Sequence, residues 1–140
     1  MLEGKVGVTR LGSLPGEAVR QEMSGALALL MPSIWYEYFP RTIVEAFACG
    51  TLVIASRICA LAELVQDGVT GLLFEPGNPR DLADKMDWAL ENPEAMTAMG
   101  RQARAQYEAE FSAEVNYQQL LEIYQGAIEA VARRKVQGAR

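Results

Sequence analysis

The stretch "ALALLMPSIWYEYFPRTIVEAFACGTLVIAS", residues 26–56, decides the fold. It opens on a continuous apolar run that ends at Pro32 and Ser33, the pattern of a strand buried on both faces. The loop "SIWYEYF" follows. Pro40 then starts the helix "RTIVEAFAC", since a fixed φ and a missing N–H cost nothing in a first turn, and Gly50 closes it as a left-handed cap. "LVIAS", residues 52–56, is a second buried strand. Strand, crossover helix and strand in this order make a βαβ unit, which calls for parallel pairing.

Outward from that unit the alternation continues. "KVGVTRLG", residues 5–12, reads as a strand closed by Gly12, and "LPGEAVRQEMSGA", residues 14–26, as a helix with Pro15 and Glu17 at its start. On the other side "LAELV" is a short helix, "DGVTG" a turn and "LLF" a last strand before "EPGNP". The glycines of "QDGVTGLLFEPG" are those of a tight strand connection, although a ligand loop would use them too. The expected fold class is α/β: a Rossmann-like parallel sheet with flanking helices. From residue 79 to 140 the chain is mostly helical, in "PRDLADKMDWALEN", "PEAMTAMGRQARAQYEAEF" and "SAEVNYQQLLEIYQGAIEAVARRK", with Pro93 and the N-cap Ser112 as starts. Met86, Trp88, Met96 and Met99 have helical spacing and are expected in the core; Val115, Leu120, Ile123, Tyr124, Ala127, Ile128 and Val131 form an apolar face along the last helix.

With 140 residues the chain is expected to be a single domain, 1–140, because a chain of this size buries one core. A net charge of −5 without a broad basic surface argues against nucleic acid. No apolar run suits a bilayer and the start lacks a secretion signal, so the expected location is cytoplasmic. The C-terminal "ARRKVQGAR" holds four cations, fewer than stable membrane anchoring needs, and is expected to be a solvated tail. Cys49 and Cys59 are the only cysteines and histidine is absent, so no metal site and no cofactor are expected, and the thiols are expected reduced and half-buried.

In an open parallel sheet, ligands sit beyond the carboxyl ends of the strands, where the loop "PSIWYEYFP" belongs. The helix start behind it offers free N–H groups and partial positive charge to a phosphate, with the Thr42 hydroxyl beside it. Glu37 lies in the loop and Glu45 inside the helix, so one could hold a ribose and the other a hexose of a nucleotide sugar, both projecting into a common hollow. Spacing alone equally allows Glu45 to pair with Arg41 four residues back and Glu37 to be simply solvated.

"MPSIWYEYFPRTIVEAFACGTLVIAS", followed by "LAELVQDGVTGLLFEPGNPRDLADKM", closely resembles the donor-binding C-terminal domain of family 4 retaining glycosyltransferases of the GT-B fold. The likeness runs from about Leu11 to the final helices. It implies transfer of a hexose, with retention, from a UDP- or GDP-linked sugar to a glycan or lipid-linked acceptor, as in polysaccharide biosynthesis, with metal dispensable. Glu37 would contact the transferred sugar and stabilise positive charge at its reacting carbon, and Glu45 would grip the ribose. Tyr38, Phe39, Arg41 and Thr42 would line the sugar and phosphates; Pro40 has no N–H to give.

The chain departs from that pattern at Tyr38, Leu52 and Cys59, where the family commonly has Gly, Pro and Gly. A side chain at 38 or 59 would be costly, or would block the pocket, if the position needs positive φ or close approach of a ligand. The resemblance further implies an acceptor-binding domain and first strands that this chain does not contain, so a partner chain or missing domain is expected. The run "LALLM" is then expected to show an open hydrogen-bonding edge, with a homodimer or strand exchange as the remedy. The alternative reading is an inactive, self-associating fragment with a vestigial pocket.

Overall fold

The computed structural model describes residues 7–137. Its elements run α1 (Gly16–Gly25), β1 (Leu29–Met31), α2 (Arg41–Ala48), β2 (Val53–Ser56), α3 (Cys59–Leu64), β3 (Gly71–Phe74), α4 (Pro79–Glu91), α5 (Pro93–Gln106), a π turn (Tyr107–Phe111) and α6 (Ala113–Gln137). The three strands form one parallel sheet in the order β1-β2-β3, with Leu29 opposite Val53 and Val53 opposite Gly71. The α/β class with a helical C-terminal segment is as the sequence indicates.

The central strand shows why the core has two layers. Side chains alternate across a strand, so Val53 and Ala55 join Ile43, Ala46, Phe47, Leu61 and Leu73 on one face. Leu52 and Ile54 join Leu72, Phe74, Ala89, Met96 and Met99 on the other. Leu52, where the family pattern has Pro, is fully buried in that second layer. On α2 the buried residues Ile43, Ala46 and Phe47 form one stripe, which fixes the rotation of the whole helix. Gly50 ends α2 with φ +73°, the left-handed cap expected of it. Asn78 caps α4 through its side chain, which accepts from the amides of Arg80 and Asp81 at 3.1 Å each. Ser112 Oγ accepts from Val115 N at 3.3 Å at the start of α6.

The turn before β3 is a connector. Gly68 N donates to Gly71 O at 2.8 Å, and Leu73 N donates to Asp67 Oδ1 at 2.9 Å, so the outer edge of β3 is occupied by its own preceding turn. Burial acts to raise the Asp67 carboxyl, but the Leu73 N–H and the Arg57 guanidinium, with Lys85 beyond, outweigh it and hold Asp67 below its ordinary range. Gly71 is required by contact: a Cβ there would lie 2.0 Å from Val53 O.

Several expectations are corrected. Residues 7–12 form no strand and are exposed, because among the described residues no strand runs beside them to give a ladder; residues 5 and 6 of that expected strand lie outside the described residues. The strand in "LALLM" is limited to three residues and is not buried on both faces: Leu30 is 38% exposed and Leu27, just before it, 72%. It is an edge strand, and among the described residues nothing pairs with its outer side. The helix expected over 93–111 gives way after Gln106 to the π turn, whose Tyr107 and Phe111 pack against the first core layer. Met96 and Met99 are in the core, whereas Met86 and Trp88 lie more than a third exposed. Cys59 is exposed rather than half-buried. Beyond Val115 the apolar face of α6 is open, from Tyr117 through Leu121, Tyr124 and Ile128 to Val131. Among the described residues no helix is long and apolar enough to cross a membrane.

Candidate functional site

A parallel sheet sends the loops after all its strands out of one edge. The loop after β1, residues 32–40, and the connection after β2 that leads into Cys59 leave together, which brings residues 59–63 beside residues 36–38. Ser33 organises the first loop: its hydroxyl accepts from Trp35 N at 3.3 Å and donates to Glu37 Oε1 at 3.4 Å. Pro40 is buried at the head of α2, its carbonyl accepting from Ile43 N at 3.0 Å. Among the described residues no side chain caps this helix start, which leaves the amides of Arg41 and Thr42 as donors.

Among the described residues the two glutamates line different hollows. Glu37 lines one of about 410 Å³ with Tyr36, Tyr38, Cys59, Ala60 and Glu63. Glu45 lines another of about 620 Å³ on the flank of α2, where Arg20, Phe39, Arg41, Tyr107 and Asn116 also face it. Tyr38 lines the first and its neighbour in sequence, Phe39, the second. Helix geometry is the cause: with Ile43, Ala46 and Phe47 turned to the sheet, the stripe Arg41, Val44, Glu45 and Ala48 must face sideways, toward the π turn. Thr42 is half-buried and lines neither hollow.

Glu45 does pair with Arg41, Nη2 to Oε1 at 3.4 Å, with the two side chains 43% and 82% exposed. At that exposure the pair is worth only ~0.3 to 0.5 kcal/mol, so a ligand group can displace it. Phe39 is held by an edge-to-face contact with Phe111, ring centres 6.4 Å apart, so the π turn braces the lining of the Glu45 hollow. Cys59 sits at φ +40°, the only positive value at a non-glycine among the described residues. The expected demand for a left-handed backbone therefore holds at 59. It does not hold at Tyr38, whose side chain projects fully into solvent. Sequence reasoning did not single out Arg20, Tyr36, Glu63 or Asn116. Their place depends on which elements become neighbours, and no local pattern marks them.

The chain matches the glycosyl transferases group 1 family over residues 2–106. It belongs to that family. The D-inositol 3-phosphate glycosyltransferase of Kribbella flavida is 32% identical over 119 residues, covering 85% of this chain and 28% of the relative. Among solved structures, the sucrose-phosphate synthase of Thermosynechococcus elongatus superposes with a TM-score of 0.81 at 32% identity, over 87% of this chain and 30% of that one. Anabaena HepE, solved in complex with UDP, gives a TM-score of 0.73 at 30% identity, over 76% of this chain and 29% of its own. This group 1 glycosyltransferase chain thus spans less than a third of the length of each of these proteins.

Proposed function

We propose that this chain is the donor-binding portion of a glycosyltransferase that moves a hexose, with retention, from a UDP- or GDP-linked sugar to a glycan or lipid-linked acceptor, working with an acceptor-binding domain or partner. The observation that carries the reading is that one continuous segment, the loop after β1 and the start of α2, lines two hollows, one with Tyr38 and Glu37 and the other with Phe39 and Glu45. A nucleotide sugar has two hydroxyl-rich ends joined by a diphosphate. Glu45 takes the ribose hydroxyls, exchanging its weak pair with Arg41 for a bidentate acceptance. Arg20 and Arg41, which line the same hollow, supply charge for the diphosphate, and the amides of Phe39, Arg41 and Thr42 supply donors at the uncapped helix start. Tyr38 and Glu37 face the sugar, and the Glu37 carboxylate stabilises positive charge at its reacting carbon as the leaving group departs. The family match and the UDP bound by a structural neighbour support this reading.

Calorimetric titration of UDP, GDP and their hexose derivatives into the purified chain is the test. Binding that Glu45→Ala abolishes supports it; no heat at millimolar nucleotide sinks it. A second reading, an inactive self-associating fragment, is favoured by the open outer side of β1 beside exposed Leu27, Leu30 and Leu90. Light scattering after size exclusion separates the two: a tight dimer without nucleotide affinity selects the second, a nucleotide-binding monomer the first.

A further inference from the structure

From Asn116 to Arg134 the last helix leaves the body of the molecule: every residue there whose burial is described is exposed, whereas Val115, one position earlier, is still half-buried. A helix standing alone in water is marginal, because nucleation is costly and most helical stability comes from packing an apolar face. α6 has such a face. Tyr117, Leu120, Tyr124, Ala127 and Val131 repeat at alternating three- and four-residue steps, the spacing of a coiled-coil seam, and Leu121 and Ile128 flank it. With Tyr124 59% exposed and Ile128 70%, the stripe is uncovered at its centre.

Charge decides what covers it. The end of α6 next to the body is acidic, with Glu114 preceded by Glu108 and Glu110 in the π turn, and the far end carries Arg133 and Arg134. Glu108 pairs with Arg104, Glu110 accepts from Gln106, and Arg133 pairs with Glu129 at 3.7 Å; the side chains of Glu114 and Arg134 have no such partner among the described residues. A helix with opposite charges at its two ends complements a second copy of itself run antiparallel, whereas a parallel copy sets Glu114 against Glu114 and Arg134 against Arg134. The antiparallel pair also matches in shape. The register that sets Tyr124 opposite Ala127, large against small, puts Leu120 opposite Val131 and Tyr117 opposite Arg134, whose guanidinium stacks on the ring one turn from Glu114. The free arm is roughly 28 Å long, so the two bodies stand at opposite ends of the pair and do not collide.

We propose that α6 is a self-association arm: two copies of this chain pair antiparallel through the face from Tyr117 to Val131, with Glu114 of each copy beside Arg134 of the other. This goes beyond the donor-binding reading and does not rest on it, and it uses a surface separate from the open side of β1. Covering the stripe on both copies removes on the order of 1,200 Å² from water, the lower end of stable interfaces, so association is expected in the micromolar range.

Sedimentation equilibrium across the micromolar range tests it on the wild-type chain, Leu120→Glu, Glu114→Arg, Arg134→Glu and Leu30→Lys. All four positions are exposed, and an unchanged melting temperature in dilute solution, where the chains are apart, verifies that the variants fold. The wild type dimerises, and Leu120→Glu weakens association at least tenfold by burying a charge in the seam. Glu114→Arg and Arg134→Glu each weaken it about three- to tenfold, and mixing these two variants restores it, because every reversed charge then meets its opposite. Leu30→Lys, on the open side of β1, leaves it unchanged. A wild type that stays monomeric throughout the range overturns the proposal. So does a dimer that Leu30→Lys dissociates and Leu120→Glu does not, since that pair forms along the sheet. Charge reversals that show no recovery on mixing refute the antiparallel pairing.

Discussion

Replacing Cys59 by glycine should stabilise this chain, although glycine in the first turn of a helix ordinarily costs stability. Cys59 opens α3 with φ +40°, while Ile58 before it is extended at φ −141°. A left-handed backbone places Cβ against the following carbonyl and costs an L-residue ~1 to 2 kcal/mol. Glycine removes that strain but gains freedom in the unfolded chain, worth ~0.4 to 1 kcal/mol against it. The exposed thiol buries little surface, so its loss adds almost nothing. The difference is a net gain of ~0.5 to 1 kcal/mol, which in a chain of 140 residues raises the melting temperature by about 2 to 4 °C. Cys59→Ala is the control: it deletes the sulfur and keeps Cβ, so it stays within ~0.5 kcal/mol of wild type. Urea unfolding followed by circular dichroism measures all three, with unchanged m-values showing that the unfolded state is comparable. A glycine variant less stable than both the alanine variant and wild type would refute the strain. Cys59 also lines the Glu37 hollow, so removing its side chain widens the mouth of that hollow at no cost in folding.

Three further outcomes are expected. Gly71→Ala drives a Cβ into the Val53 carbonyl and to 2.9 Å from Val65 Cγ1 in the middle of the sheet, and destabilises by ~3 kcal/mol, read as a fall in the urea midpoint. Asp67 titrates lower when folded than its ordinary value of 3.8, so the stability it contributes is complete above that pH and drains away as the pH falls through the folded value; Asp67→Asn is less stable at neutral pH and shows a flatter loss below pH 3.8, in urea midpoints taken across the acid range. Glu45→Ala weakens nucleotide binding at least tenfold while changing stability by less than ~0.5 kcal/mol, because the pair it breaks is exposed; equal affinity in calorimetry would remove Glu45 from the ribose.

Elements that carry their own signals were legible in the sequence. Pro40 and Gly50 bracket α2, Pro93 opens α5, and Ser112 caps α6 because short-range hydrogen bonding and backbone preference act within a few residues. What depends on neighbours was not legible. Residues 7–12 have strand composition but join no sheet among the described residues, and "LALLM" has the hydrophobicity of a central strand while lying at an edge. The separation of Glu37 from Glu45 was half legible: the stripe Ile43, Ala46, Phe47 already points Glu45 to the flank of α2, whereas the place of Glu37 depends on the Ser33 hydroxyl bonds inside an irregular loop. The strain at Cys59 was foreseen from a family glycine, whereas Tyr38 does not need a left-handed backbone.

The two sides of the sheet are unequal among the described residues, since the Asp67 turn plugs β3 while nothing pairs with the outer side of β1. Growth by adding strands needs two sticky borders on each molecule, and the described residues offer a single one. If two copies met along β1 they would consume both bare borders and leave only plugged ones outside. Association through this sheet therefore terminates at a pair and does not propagate into a fibril.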